Sequence, residues 1–368
     1  VSEASRADER HPLRQLYFYL TEGCNLCCRH CWIGPKHLSA ADRPTGLDVR
    51  LVRSIIDQAK PLGLRGVKLT GGEPLLHPGI LDILEILRAG NLPVNVETNG
   101  TLCTPEFARA LAGCSSPSVA VSLDAPDAET HDWMRGVRGA FASALKGIRN
   151  LVGAGLKPQI IMSVVRRNRD GMRALVRLAE SLGAASVKFN LVQPSVRGER
   201  MHRAGETLPV PELVELGKWA ESALAAEARV RIHFSHPPAF MPLSRMFAED
   251  GPGCGMCGIL SILGVLSDGS YALCGIGESV ADLVFGHAGE DRLEAVWRTS
   301  PVLRELRAGL PGRLEGVCAR CLMKHVCLGS CIAQNYYISG NLWSSNWFCE
   351  EAKARGVFPE SRLIPESA

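Results

Sequence analysis

The sequence predicts an α/β chain, a partial (β/α)6 barrel of the TIM type followed by a smaller cysteine-rich domain. Three observations carry this. From residue 15 to about 192, short β-rich runs alternate with stretches whose apolar residues recur at helical spacing, as repeated βα units around a parallel sheet require. The 14 cysteines are grouped: Cys24, Cys28 and Cys31 form one set near the start, and eight more lie between positions 251 and 350. Finally, 368 residues, 46% hydrophobic and 21% charged, are enough for a large core plus one smaller domain.

Residues 1–14 are a polar tail without the apolar stretch of a signal peptide. Strands are expected at 15–20, 66–70, 94–98, 119–123, 159–165 and 186–191, with helices at 49–62, 80–89, 105–112, 140–154 and 171–182. Together they make a core domain over 15–205. In such barrels the chemistry sits on loops at the C-terminal ends of the strands. Residues 206–250 read as a bridge, with a helix at 211–227, a short strand at 230–234 and then a Pro- and Met-rich run. The cysteine-rich domain covers 251–354, and 355–368 is a tail.

Composition excludes several classes. A net charge of +3, from 41 basic and 38 acidic residues, makes no electrostatic case for nucleic acid or a membrane surface. No apolar run approaches the roughly 20 residues that span a bilayer. Fourteen cysteines without a secretion signal point to metal ligation in a reducing cytoplasm.

Cys24, Cys28 and Cys31 stand at C-x3-C-x2-C directly after the first apolar strand. Three thiolates on one loop can hold three irons of a 4Fe–4S cube and leave the fourth iron open; the spacing alone also allows a zinc site or buried thiols. Gly71-Gly72-Glu73-Pro74 follows the second strand, where paired glycines let backbone approach a ligand, or simply make a tight turn. Glu97, Thr98 and Asn99 end the third strand, and Ser122 and Asp124 end the fourth. His131, Arg135 and Gly136 follow, then Arg197 in Gln193-Pro194-Ser195-Val196-Arg197-Gly198. An Arg fork suits a carboxylate, and His131 reads as a structural histidine.

With these motifs the chain resembles the radical S-adenosylmethionine (SAM) enzymes. The resemblance implies that the open iron takes the amino and carboxylate groups of SAM, and that an electron from the cluster splits SAM into methionine and a 5′-deoxyadenosyl radical. It implies Gly71, Gly72, Glu73 and Pro74 at the SAM amino group, Glu97 and Asn99 at the ribose, and Ser122 and Arg135 at the carboxylate, with Asp124 also among the SAM-binding residues. Arg197 reaches SAM or substrate, or is a solvated surface residue. Ala125 stands where the family usually has Gly.

Cys254, Cys257, Cys274, Cys318, Cys321, Cys327, Cys331 and Cys349 follow a second pattern, with a hairpin turn expected at Asp268-Gly269 before Cys274. Eight thiolates are what two fully ligated 4Fe–4S clusters require, or two four-cysteine zinc knots. The spacings resemble the SPASM domain, which implies two auxiliary clusters. Cys254, Cys257, Cys274 and Cys331 would hold one, and Cys318, Cys321, Cys327 and Cys349 the other, so that three clusters and SAM are the expected cofactors. Fully ligated clusters point to electron transfer. Cys27, Cys103 and Cys114 are left to pack as small hydrophobes, Cys27 being the one inside the cluster loop. Trp343 and Trp347 are expected to shield a cluster from water. Sulfatase-maturing members of the family carry a catalytic Asp after the cysteine matching Cys274; Gly275 stands there, and no catalytic acid or base is assigned.

The resemblance therefore implies a radical SAM oxidoreductase or maturase that abstracts hydrogen and oxidatively modifies a ribosomally made peptide or protein. A dehydrogenase or epimerase of a sugar, aminocyclitol or other small molecule is the alternative, and a non-enzymatic iron–sulfur electron carrier is more distant. Expected partners are the substrate and an electron donor such as flavodoxin or ferredoxin. The short stretch before the first strand leaves no room for a leader-binding domain, so a separate leader-peptide-binding protein is a further expected partner.

Overall fold

A computed structural model of the chain describes residues 11–39, 41–246 and 257–365. Its centre is a ten-stranded sheet. Strands β1 (Gln15–Tyr19), β2 (Gly66–Thr70), β3 (Val94–Thr98), β4 (Ser118–Ser122), β5 (Gln159–Val164) and β6 (Ser186–Leu191) lie side by side in chain order, every pair parallel. Helices α1 (Val49–Ala59), α2 (Ile80–Ala89), α3 (Pro105–Ala112), α4 (Ala128–Arg135), α5 (Ala140–Gly153) and α6 (Met172–Ser181) provide the crossovers. Leu16, Phe18, Leu69, Val96, Val121, Ile160, Val187 and Phe189 are buried, as expected of strands covered by helices.

The helices start where the local chemistry directs. Asp48 accepts from Arg50 N at the head of α1, and Thr104 from Phe107 N at the head of α3, where Pro105 occupies the first turn. Helix α4 was not among the expected elements, because AETHDWMR carries little apolar periodicity. Its signal was the cap: Asp127 accepts from Thr130 N, Glu129 stands in the first turn, and Gly136 ends it at φ +70°.

The sheet runs past the expected domain limits at both edges. After α7 (Val196–Arg203) and α8 (Val210–Trp219), β7 (Arg231–Phe234) adds a seventh parallel strand beside β6. At the other edge β8 (Ile262–Val265), from the cysteine-rich region, pairs in parallel with β1. Antiparallel β9 (Ser270–Ala272) and β10 (Val284–His287) follow it. The exposed edge of β1 would present unpaired N–H and C=O groups, and the C-terminal hairpin satisfies them. No pairing joins β7 to β10, so the sheet stays open rather than closing as a barrel. In the hairpin turn Asp268 Oδ1 accepts from Ser270 N at 2.8 Å. No helix among the described residues is long and apolar enough to cross a membrane.

Candidate active site and cysteine clusters

All three N-terminal cysteines of the C-x3-C-x2-C loop face one cavity of about 210 Å3 at the C-terminal ends of the strands. Each sulfur receives N–H donors. Leu26 N (3.3 Å) and Asn99 Nδ2 (3.8 Å) reach Cys24, Arg135 Nη1 (3.6 Å) reaches Cys28, and Gly34 N (3.3 Å) reaches Cys31. Donors aimed at sulfur suit a thiolate better than a thiol. Burial, with the Glu73 carboxylate adding to it, pushes the Cys24 thiol up to about 12. A bound metal reverses that preference, because its charge deprotonates the coordinating thiol. The loop therefore fits a cationic metal group held by three sulfurs. Cys27 is exposed, whereas Cys103 and Cys114 are buried in the core.

Gly71-Gly72-Glu73-Pro74 packs against this loop. A Cβ on Gly72 would overlap the Gly23 carbonyl oxygen, so glycine lets the two backbones meet. Glu73 is buried and accepts from Thr98 Oγ1 (2.7 Å), Asn99 N (2.8 Å) and Leu75 N (3.1 Å). Burial pushes its carboxyl up to about 7 despite those donors. Pro74 is buried and opens a short 3-10 turn. Gly72→Ala should force the turn off the loop, with loss of iron incorporation in anaerobic reconstitution while the far-UV circular dichroism stays native.

Glu97, Asn99, Ser122, Arg135 and Arg197 line the cavity with Gly71, Gly72 and Glu73. Glu97 Oε1 is 2.7 Å from Lys68 Nζ, and Asn99 Nδ2 donates to Asn25 Oδ1 at 2.9 Å. Arg197 clamps the cluster loop, its Nη2 donating to Pro35 O at 2.7 Å. Asp124 is placed differently. It lies behind the cavity wall, 0% exposed, with its carboxylate 2.8 Å from Arg135 Nε and accepting from Ser163 N at 2.9 Å. Neither Asp124 Oδ2 nor Arg135 Nε makes a hydrogen bond, so that contact is an ion pair. Burial alone would raise the Asp124 carboxyl; the Arg135 guanidinium, with the neighbouring histidines and Ser163 N, holds it below its ordinary value. Asp124 therefore positions Arg135 from behind. His131 supports this layer, its Nδ1 accepting from Asp124 N at 3.1 Å, and burial lowers its pKa to about 4.

Sequence reasoning did not single out His30, Trp32, Ser163, Lys188 and Asn190. They line the first cavity and also a second one of about 270 Å3 that reaches Cys274 and Cys331. Their signal was position: Ser163, Lys188 and Asn190 are polar residues within otherwise apolar strands, where a parallel sheet has no place for them unless a cavity adjoins.

Among the C-terminal cysteines, Cys318, Cys321, Cys327 and Cys349 line one apolar pocket together with Val317, Met323 and Phe358. Met323 N donates to Cys321 Sγ at 3.4 Å and Asn346 N to Cys318 Sγ at 3.5 Å. Burial pushes the Cys327 and Cys257 thiols up to about 12, with neighbouring cysteines adding in each case. Cys254 lies outside the described residues. Among the described residues no three His, Cys, Asp or Glu form a ready-made single-ion site; Cys318, Cys321, Cys327 and Cys349 share one pocket, and Cys274 and Cys331 line another cavity together. Neither Trp343 nor Trp347 lines the four-cysteine pocket: Trp343 packs under Arg313, and Trp347 Nε1 donates to Gln193 Oε1 at 2.9 Å.

Residues 18–179 match the radical SAM superfamily, and residues 254–322 match SPASM, an iron–sulfur cluster-binding domain. The chain is an enzyme of the radical SAM superfamily carrying a SPASM domain. The AdoMet-dependent heme synthase of Methanosarcina barkeri is 29% identical, covering 91% of this chain and 96% of that protein. The mycofactocin maturase MftC of Mycobacterium tuberculosis is 27% identical, covering 95% and 86%. Streptococcus suis SuiB bound to its precursor peptide SuiA superposes with a TM-score of 0.71 at 18% identity, covering 95% of this chain and 79% of that one, and so shares the fold.

Proposed function

We propose that this enzyme binds SAM at a cluster held by Cys24, Cys28 and Cys31, abstracts hydrogen from its substrate, and oxidatively modifies a ribosomally made peptide or protein. The observation that carries the reading is the pair of adjoining cavities, one on the N-terminal thiols and the other reaching Cys274 and Cys331, with a shared polar wall. When bound, the cluster and SAM supply the electron and the 5′-deoxyadenosyl radical. The chain supplies placement. Gly71, Gly72 and Glu73 offer backbone and a carboxylate for the SAM amino group, Glu97 and Asn99 face the ribose, and Ser122 with Arg135 takes the carboxylate. Arg197 holds the cluster loop in place. Two further clusters, on Cys254, Cys257, Cys274 and Cys331 and on Cys318, Cys321, Cys327 and Cys349, accept electrons for an external carrier of the flavodoxin or ferredoxin type.

Gly275 sits against the ring of Tyr19, which a Cβ would overlap, so a catalytic carboxylate has no room there. A tetrapyrrole substrate is the second reading, and the relatives named heme synthase favour it. The anaerobically reconstituted chain should hold about 12 iron and 12 sulfide and, once reduced, cleave SAM to methionine and 5′-deoxyadenosine. A folded Cys274→Ala protein with about eight irons should still cleave SAM but form no product. Stoichiometric zinc, or product formation at the unaltered rate by Cys274→Ala, would defeat the assignment of the auxiliary clusters.

A further inference from the structure

The wall shared by the two cavities carries one charge without a counterpart. Charged side chains elsewhere on these walls are engaged inside the protein: Glu97 with Lys68 at 2.7 Å, Arg135 with Asp124 at 2.8 Å, Arg197 on the Pro35 carbonyl at 2.7 Å, and Glu73 on Thr98 and Asn99. His30 Nε2 lies 4.0 Å from the Asp124 carboxylate. The side chain of Lys188, on β6, makes no hydrogen bond or ion pair with any described residue. The acid whose charge acts on it is Glu97, which is already paired with Lys68 at 2.7 Å, so the Lys188 ammonium faces the space with no ion-pair partner of its own. Burial weighs against that ammonium and lowers its pKa, a cost that an anion arriving beside it would remove.

Neutral polar groups surround the charge. Ser163 and Asn190 share the wall, and Gln334 lines the second cavity with its Oε1 buried and without a hydrogen-bond partner. Such a site has a charged anchor and hydrogen-bonding groups around it, which is how a pocket fixes the orientation of a polar ligand.

We infer that Lys188 anchors a carboxylate of the substrate in the space between the SAM site and Cys274 and Cys331. The inference rests on the proposed radical SAM function and names the chemical feature that its substrate must carry. The carboxylate can belong to a peptide or to a small molecule such as a tetrapyrrole. Anchored at Lys188, the rest of the substrate spans the region from the SAM cavity to the auxiliary cysteines, so Lys188 selects which carbon faces the radical source.

The test measures equilibrium binding to the reconstituted, SAM-loaded full chain with two matched probe pairs. One pair is a pool of synthetic pentapeptides with free C-terminal carboxylates and the same pool amidated. The other is haem and its dimethyl ester. At least one pair should show a preference of about tenfold to a hundredfold for the carboxylate form. That preference should fall to near unity in Lys188→Met and be largely kept in Lys188→Arg. The pair that responds identifies the source as peptide or small molecule. Thermal melting and iron content confirm that the variant is folded, and Lys188→Gln replaces Lys188→Met if the latter melts early. No preference in either pair, or a preference that survives the loss of Lys188, overturns the inference. So does a Lys188→Met protein that loses affinity for SAM, because the lysine would then serve the SAM carboxylate. Wild-type SAM cleavage is measured separately: its absence defeats the functional reading, whereas cleavage without carboxylate preference defeats only the role of Lys188.

Discussion

Replacing Cys24, Cys28 and Cys31 together with Ala should abolish SAM cleavage and lower the iron content of the reconstituted chain from about 12 to about eight. The three sulfurs face one cavity and each has an N–H donor aimed at it, so the triple substitution removes every thiol on that wall. The remaining irons depend on cysteines from the other end of the chain, which is why their number should hold. Iron and sulfide analysis with electron paramagnetic resonance of the reduced protein reads the first quantity, and chromatographic detection of 5′-deoxyadenosine reads the second. Loss of all iron from a folded variant would show that the clusters assemble as one unit. Retention of about 12 irons would show that these cysteines are not the ligands.

Asp124→Ala should destabilise the protein by about 3–5 kcal/mol, because it leaves the Arg135 guanidinium buried without its counter-charge. Asp124 is 0% exposed and the Arg135 side chain 7%, so water cannot replace the lost partner. The same substitution removes the acceptor for Ser163 N and frees Arg135 to swing from the cavity. SAM affinity should therefore drop tenfold or more along with stability. Arg135→Ala should also weaken SAM binding at least tenfold while iron content stays unchanged, since Arg135 is no cluster ligand. Anaerobic urea unfolding gives the first quantity and equilibrium dialysis of SAM the second. An Asp124→Ala protein as stable as the parent would show that the ion pair contributes nothing net, and normal SAM affinity in Arg135→Ala would remove that residue from the site.

The two substitutions separate roles that sequence alone merged. Asp124 and Arg135 both fall in a family motif and were both expected to touch SAM. The structure lets only Arg135 reach the cavity, and Asp124 acts on it from the protein interior.

Local sequence determined the βα rhythm, because strand and helix periodicity and caps such as Thr104 and Asp48 act over a few residues. The N-terminal cysteines were legible for the same reason: Cys24, Cys28 and Cys31 share one loop and face one cavity, and spacing records that directly. Helix α4 escaped because its evidence is a cap and a C-terminal glycine rather than an apolar stripe.

Tertiary structure decided what depends on contacts between distant segments. Gln15 pairs with Ile262 across most of the chain, so only the assembled sheet places Cys274 and Cys331 beside the cavity of the N-terminal thiols. The lone charge of Lys188 was equally invisible, since a lysine within an apolar strand shows its meaning only once its neighbours and their partners are known. Periodicity is a property of short windows of chain, whereas strand order, burial and charge balance belong to the packed whole.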